Sequence, residues 1–204
     1  KGVMTTEQTV HIARQLAAAL DYAHGQRLMH GDLNDRCVFV DPDGHVILTD
    51  FGLTQAVAGT DSMDILQATE MAHGAGTPEY LSSERAQGQG PNRAADIYAL
   101  GVLAYQMLVG HVPFAGEPAD VLYAQIHETP PPLHTRNPKV PVAMSEVITR
   151  ALAKRPEMRF NTANEFARAL SAAAEGIAPA RAPAAAGRSR PGRLWQRPVF
   201  WAII

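Results

Sequence analysis

The sequence predicts an α+β fold that is mainly helical, with one small β-hairpin. Three observations predict it. Val38-Phe39-Val40 and Val46-Ile47-Leu48 flank Asp41-Pro42-Asp43-Gly44, a turn in which Pro presets one backbone angle, Asp bonds back to the turn and Gly accepts positive φ. Val10, Ala13, Leu16, Ala17, Leu20 and His24 recur at three- and four-residue spacing, the period of a helix with one apolar face. Asn92 to Val109 is apolar on nearly every side, as a helix is when it forms the buried axis of a domain.

Taken in order, Thr5 and Gln8 offer a capping box at the start of the first helix, and Gly25 a natural stop. The hairpin then folds the polar loop His30 to Cys37 against Asp50, so that acids far apart in sequence become neighbours. Like-charged carboxylates held that close need a cation or a proton between them, and the geometry suggests a divalent metal carrying a phosphate. Gly52 to Gly76 is polar and without a period, the mark of a long functional loop. Arg93, Asp96 and the Gly110 stop make the Asn92–Val109 helix too short and too polar for a membrane span. Pro113-Phe114 closes that unit, a short helix runs from Pro118 to Glu128, and Pro130-Pro131-Pro132 forces an extended connection. Helices over Val142 to Lys154 and Thr162 to Ala174 complete the domain, the second with a Thr162/Glu165 capping box.

Composition bounds the function. The chain has 204 residues and 46% hydrophobic content, enough for one domain with a sizeable core. A net charge of −2 supplies no field that favours nucleic acid. A single cysteine, Cys37, excludes a disulfide framework and fits a reducing cytoplasm. The organisation read from this is a domain over residues 1–174 and a disordered Ala/Pro/Arg-rich linker over 175–198. Residues 199–204 are read as the start of a transmembrane helix. Arg181, Arg188, Arg190, Arg193 and Arg197 precede apolar residues around Trp201, a pattern that resembles a cytoplasmic juxtamembrane segment.

Three motifs in order carry a family resemblance. His30-Gly31-Asp32-Leu33-Asn34-Asp35-Arg36-Cys37 is similar to the catalytic loop H-R-D-L-x-x-x-N, and Asp50-Phe51-Gly52 to D-F-G. Gly76-Thr77-Pro78-Glu79-Tyr80-Leu81-Ser82-Ser83-Glu84 is similar to the segment G-T-x-x-Y-x-x-P-E. Over roughly Thr5 to Leu170 the chain resembles the C-terminal lobe of a bacterial, Hanks-type serine/threonine protein kinase. The resemblance implies ATP and Mg²⁺ as cofactors, protein substrates or signalling partners, and an N-terminal lobe that this chain does not contain. It implies Asp32 as catalytic base and Asp50 as metal and nucleotide ligand. Phe39 falls at the floor of the adenine site, Thr77 and Glu84 in the substrate-facing segment, and Thr60 and Thr69 as phosphosites of the loop. His30, Phe51, Asp96 and Arg159 are structural anchors: a stack, a carboxylate under the catalytic loop, and the partner of Glu84.

The chain also departs from the family pattern. Gly31 replaces an arginine that receives loop phosphate, and Asn34 a lysine at the transferred phosphate. Cys37 replaces an asparagine ligand of the second metal, and a soft thiol is a poor ligand for hard Mg²⁺. Asp35, two residues away, is a candidate substitute. Two functions follow: a serine/threonine kinase acting at the cytoplasmic face of a membrane, or a pseudokinase that keeps the fold as a binding module. No H-E-x-x-H, G-x-S-x-G or histidine cluster with ligand spacing points elsewhere.

Overall fold

The computed structural model describes residues 2–51 and 77–176. Seven α-helices and one two-stranded sheet lie in this part: α1 (Thr6–Gly25), β1 (Val38–Val40), β2 (Val46–Leu48), α2 (Ser83–Ala86), α3 (Arg93–Val109), α4 (Pro118–His127), α5 (Leu133–Arg136), α6 (Val142–Ala151) and α7 (Ala163–Ala174). Single 3₁₀ turns occur at Pro78–Tyr80 and Pro156–Met158. A mainly helical α+β fold is what the periodicities require. The loop Thr60 and Thr69 occupy, the basic linker beyond Gly176 and the terminal apolar residues lie outside the described part.

Helix α3 is the axis. Ile97, Tyr98, Leu100, Val102, Ala104 and Tyr105 on it are completely buried, on all its sides. Helices α1 and α6 pack on it, and α7 lies against both. Gly101 permits the closest of these approaches: a Cβ there would sit 3.0 Å from Ala151 Cβ and 3.2 Å from Leu152 Cδ2.

Helix α1 starts as its sequence demands. Thr5 Oγ1 accepts from Gln8 N at 3.2 Å, and Gln8 Oε1 accepts from Thr5 N at 3.0 Å, closing the capping box. Its outer turns then clasp the hairpin. Gln15 Nε2 donates to Gly44 O at 2.8 Å, while Gln15 Oε1 accepts from Val46 N at 3.0 Å. In the turn itself Asp41 Oδ1 accepts from His45 N at 2.8 Å and Gly44 takes φ 85°. The strands pair antiparallel, Val38 with Leu48, Phe39 with Ile47 and Val40 with Val46.

Several ends differ from the sequence reading. Helix α6 stops at Ala151 rather than Lys154, and the carbonyls just beyond it are capped from a distance: Ala153 O and Lys154 O accept from Arg159 at 2.8 and 3.2 Å. Helix α7 has half of its expected box. Thr162 Oγ1 accepts from Glu165 N at 3.0 Å, but the Glu165 carboxylate takes Asn161 N instead, also at 3.0 Å. A second cap, not foreseen, comes from α1: Asp21 accepts from Ala163 N and Asn164 N at 2.9 and 3.0 Å. Helices α2 and α5 are each one turn long and carry too few residues to show a period.

Candidate active site

Asp96, in the first turn of α3, is 2% exposed, and burial of a carboxylate demands donors. Three are supplied. Oδ2 accepts from His30 N at 2.9 Å and lies 2.7 Å from His24 Nε2, and Oδ1 accepts from Gly31 N at 2.9 Å. The carboxylate therefore holds up the loop that carries Asp32. His30 is fully buried, its Nε2–H donating to Thr49 O at 2.9 Å and its ring 4.8 Å from that of Phe51. Burial pushes its pKa down, so the ring is neutral at pH 7. Loop and post-hairpin strand are thus tied through one histidine. Asp96→Asn replaces one acceptor by an NH₂ group facing donors. It is expected to cost about 3 kcal/mol, the range for charge-assisted bonds, read as a lowered denaturation midpoint.

The hairpin brings both acids close enough to Cys37 for their charges to act on it. Cys37 is 3% exposed, with its thiol 3.6 Å from Asp32 O and Thr49 N donating to Cys37 O at 3.0 Å. Burial, reinforced by the Asp32 and Asp50 charges, pushes its pKa up to about 11. At physiological pH it is a neutral thiol. Asp50 is exposed and adopts φ 66°, a left-handed backbone that aspartate tolerates better than most residues. Its Oδ2 accepts from Thr49 Oγ1 at 3.1 Å. An exposed carboxylate oxygen fits one hard cation. A neutral buried thiol does not fit a second.

Asn34 is turned inward, 2% exposed. Its Nδ2 donates to Asp32 O at 2.8 Å and its Oδ1 accepts from Arg36 N at 2.9 Å. It staples the loop and does not face an open phosphate position. Asp35 is near Gln106, whose Nε2 donates to its Oδ2 at 3.4 Å. Gly31 takes φ 82°, where a side chain is strained.

Thr77 opens the segment after the long loop, and its Oγ1 donates to Asp32 Oδ1 at 3.4 Å. Tyr80, 7% exposed, donates its hydroxyl to Gln106 of α3. Glu84 and Arg159 form a buried, two-pronged pair: Nη1 to Oε1 and Nη2 to Oε2, both 2.7 Å. Ser83, where the family segment has proline, donates to Lys154 O and adds a bond proline cannot make.

The structure thus gathers His30, Asp32, Asp50, Phe51, Thr77 and Asp96 around one loop, with Glu84 and Arg159 bracing the segment behind. Phe39 stands apart. It lies across from Ile47, both 56% exposed, on the hairpin face opposite Val38 and Val40, which line an apolar groove of about 270 Å³ with Met4, Ile12, Leu103 and Met107. Sequence reasoning missed His24, Gln106 and Gln125. Each is a polar residue on an otherwise apolar helix face, which was the available signal.

A carboxylate loop before a hairpin, a second carboxylate after it and a threonine bonded to the first are thus brought to one end of the hairpin. A family model described as the protein kinase domain matches residues 1–170, and the chain belongs to that family. It is 35% identical to the serine/threonine-protein kinase PknJ of Mycobacterium tuberculosis, over 97% of this chain and 35% of that protein. With PknB of Mycobacterium leprae it shares 33% identity over 81% of this chain and 26% of the relative. Among solved structures, the PknI kinase domain of Mycobacterium tuberculosis superposes with TM-score 0.63 at 28% identity, covering 83% of this chain and 56% of that one. The chain spans about a quarter to a third of these curated relatives.

Proposed function

We propose that this chain is the C-terminal lobe of an ATP-dependent serine/threonine protein kinase, with its N-terminal lobe supplied by preceding sequence. The observation that carries the reading is the Thr77 hydroxyl on Asp32, 3.4 Å away, on a loop fastened beneath by Asp96. Asp32 takes the proton of a substrate hydroxyl as that oxygen bonds to the γ-phosphorus and ADP leaves. Thr77 orients the carboxylate and faces the substrate chain. Asp50 holds Mg²⁺, which supplies positive charge at the phosphates. The kinase names of the relatives, and the coverage of little more than half of a solved kinase domain, support this over a pure binding module. Phe39, exposed on the hairpin, is assigned to the adenine, and Thr60 and Thr69 to phosphorylation.

No helix among the described residues is long and apolar enough to cross a membrane. The basic 175–198 segment is assigned as a linker at the cytoplasmic face of a membrane, on its arginines and on the apolar residues around Trp201. The complete protein is expected to transfer phosphate from ATP to serine and threonine of dephosphorylated casein, and EDTA to abolish transfer. Absence of phosphoserine and phosphothreonine at millimolar Mg²⁺ would refute the reading.

A further inference from the structure

Gln125 sits on the inner face of α4 and is completely buried, beside the apolar cluster Phe114, Val121 and Ala124. A leucine would fill the same space. The amide instead makes three bonds. Its Oε1 accepts the hydroxyl proton of Tyr98, a fully buried residue of α3. Its Nε2 donates to Pro78 O at 3.1 Å and to Glu79 O at 2.7 Å. One acceptor and two donors match one hydroxyl and two carbonyls, and only this orientation of the amide satisfies all three. Helix α4 is itself pinned: Lys154 Nζ donates to Ala124 O at 3.0 Å and lies 4.7 Å from the centre of the Phe114 ring.

The two carbonyls belong to the residues directly after Thr77, whose hydroxyl contacts Asp32. Without the amide, Glu79 O would lose the donor that Gln125 supplies in this part-buried contact. From this we infer that Gln125, locked by Tyr98, is a positioning residue that sets the place of the substrate-facing segment Thr77–Leu81 relative to Asp32. The inference deepens the kinase reading and rests on it for its consequence. A protein substrate then meets a segment whose position is dictated from the core of the domain, through α4.

The test reads the segment directly. In the complete protein Gln125→Leu is expected to speed amide hydrogen exchange at Tyr80 and Leu81 about tenfold, the weight of one or two lost hydrogen bonds. The amides of α1 and α7 keep their rates. Tyr98→Phe retains the ring and removes only the hydroxyl, and is expected to speed the same two amides about threefold. Tyr123→Ala, on the exposed face of α4, leaves them unchanged. In the complete kinase, Gln125→Leu raises KM for dephosphorylated casein while KM for ATP holds. Unchanged exchange at Tyr80 and Leu81 in both variants overturns the inference. So does acceleration spread equally through α1 and α7, which would make Gln125 a general support of the fold. A complete protein that transfers no phosphate sinks the kinase reading alone, and the exchange rates still decide the role of Gln125.

Discussion

Arg159→Ala is expected to destabilise the domain by about 3–5 kcal/mol, the cost of stranding one charge of a buried pair. Glu84 is 4% exposed and would keep its charge with both guanidinium donors gone. Ala94 O and Ala153 O lose their donors as well, at 2.9 and 2.8 Å in the intact protein. For a domain of this size the melting temperature should fall by roughly 10 °C. The control is Arg155→Ala, which removes a surface pair with Glu157 whose side chains are 75% and 59% exposed. Exposed pairs contribute about 0–1 kcal/mol, so equal shifts in the two variants would show that the Glu84 pair bears no special load. The pair also has a pH signature. Burial pushes the Glu84 carboxyl up, but the Arg159 hydrogen bonds and charge pull it further down, to below the ordinary glutamate value. Its stabilisation is therefore complete above that ordinary value, about 4.3, and is lost as pH falls through the lower native one. Arg159→Ala should lack that part of the acid transition.

Cys37→Asn is expected to raise phosphate transfer by the complete kinase tenfold or more, since charge stabilisation by a metal contributes several kcal/mol at the transferring phosphoryl group. The amide brings a hard oxygen where the neutral thiol now stands, within reach of the Asp32 and Asp50 charges. It also keeps a donor for Asp32 O, which the thiol now approaches at 3.6 Å. Activity of the variant should rise more steeply with Mg²⁺ concentration than that of the parent. Asp32→Asn made on top should abolish the gain. Asn34→Lys, which the sequence alone suggests as a second restoration, is expected to cancel part of it, because the inward amide holds Asp32 O and Arg36 N. If the unmodified loop already turns over at about 1–100 per second, Cys37 is no handicap and this expectation fails.

What was legible in the sequence was local or periodic. The hairpin could be read because Asp41 to Gly44 carry their own turn chemistry. The axis helix could be read because no face of it is polar. The motifs located Asp32, Asp50, Thr77 and Glu84, the resemblance they carry implied Asp96 and Arg159, and the structure brings these residues into contact or into the same loop cluster. The rest depends on partners distant in the chain. His24 reads as one more position of an apolar stripe until Asp96, 72 residues on, is placed at 2.7 Å. Gln125 reads as one polar residue on an apolar helix face until Tyr98 and two carbonyls converge on it. The carbonyls just past the early end of α6 are held by Arg159, eight positions beyond Ala151.

The backbone at Gly31 limits what the loop can accept. With φ 82°, a side chain there would carry a penalty of roughly 1–2 kcal/mol before it touched anything. Glycine carries none of that penalty, and His30 N and Gly31 N are both committed to Asp96, so a residue with a side chain at this position has to take up the same left-handed backbone or give up a bond to the buried carboxylate.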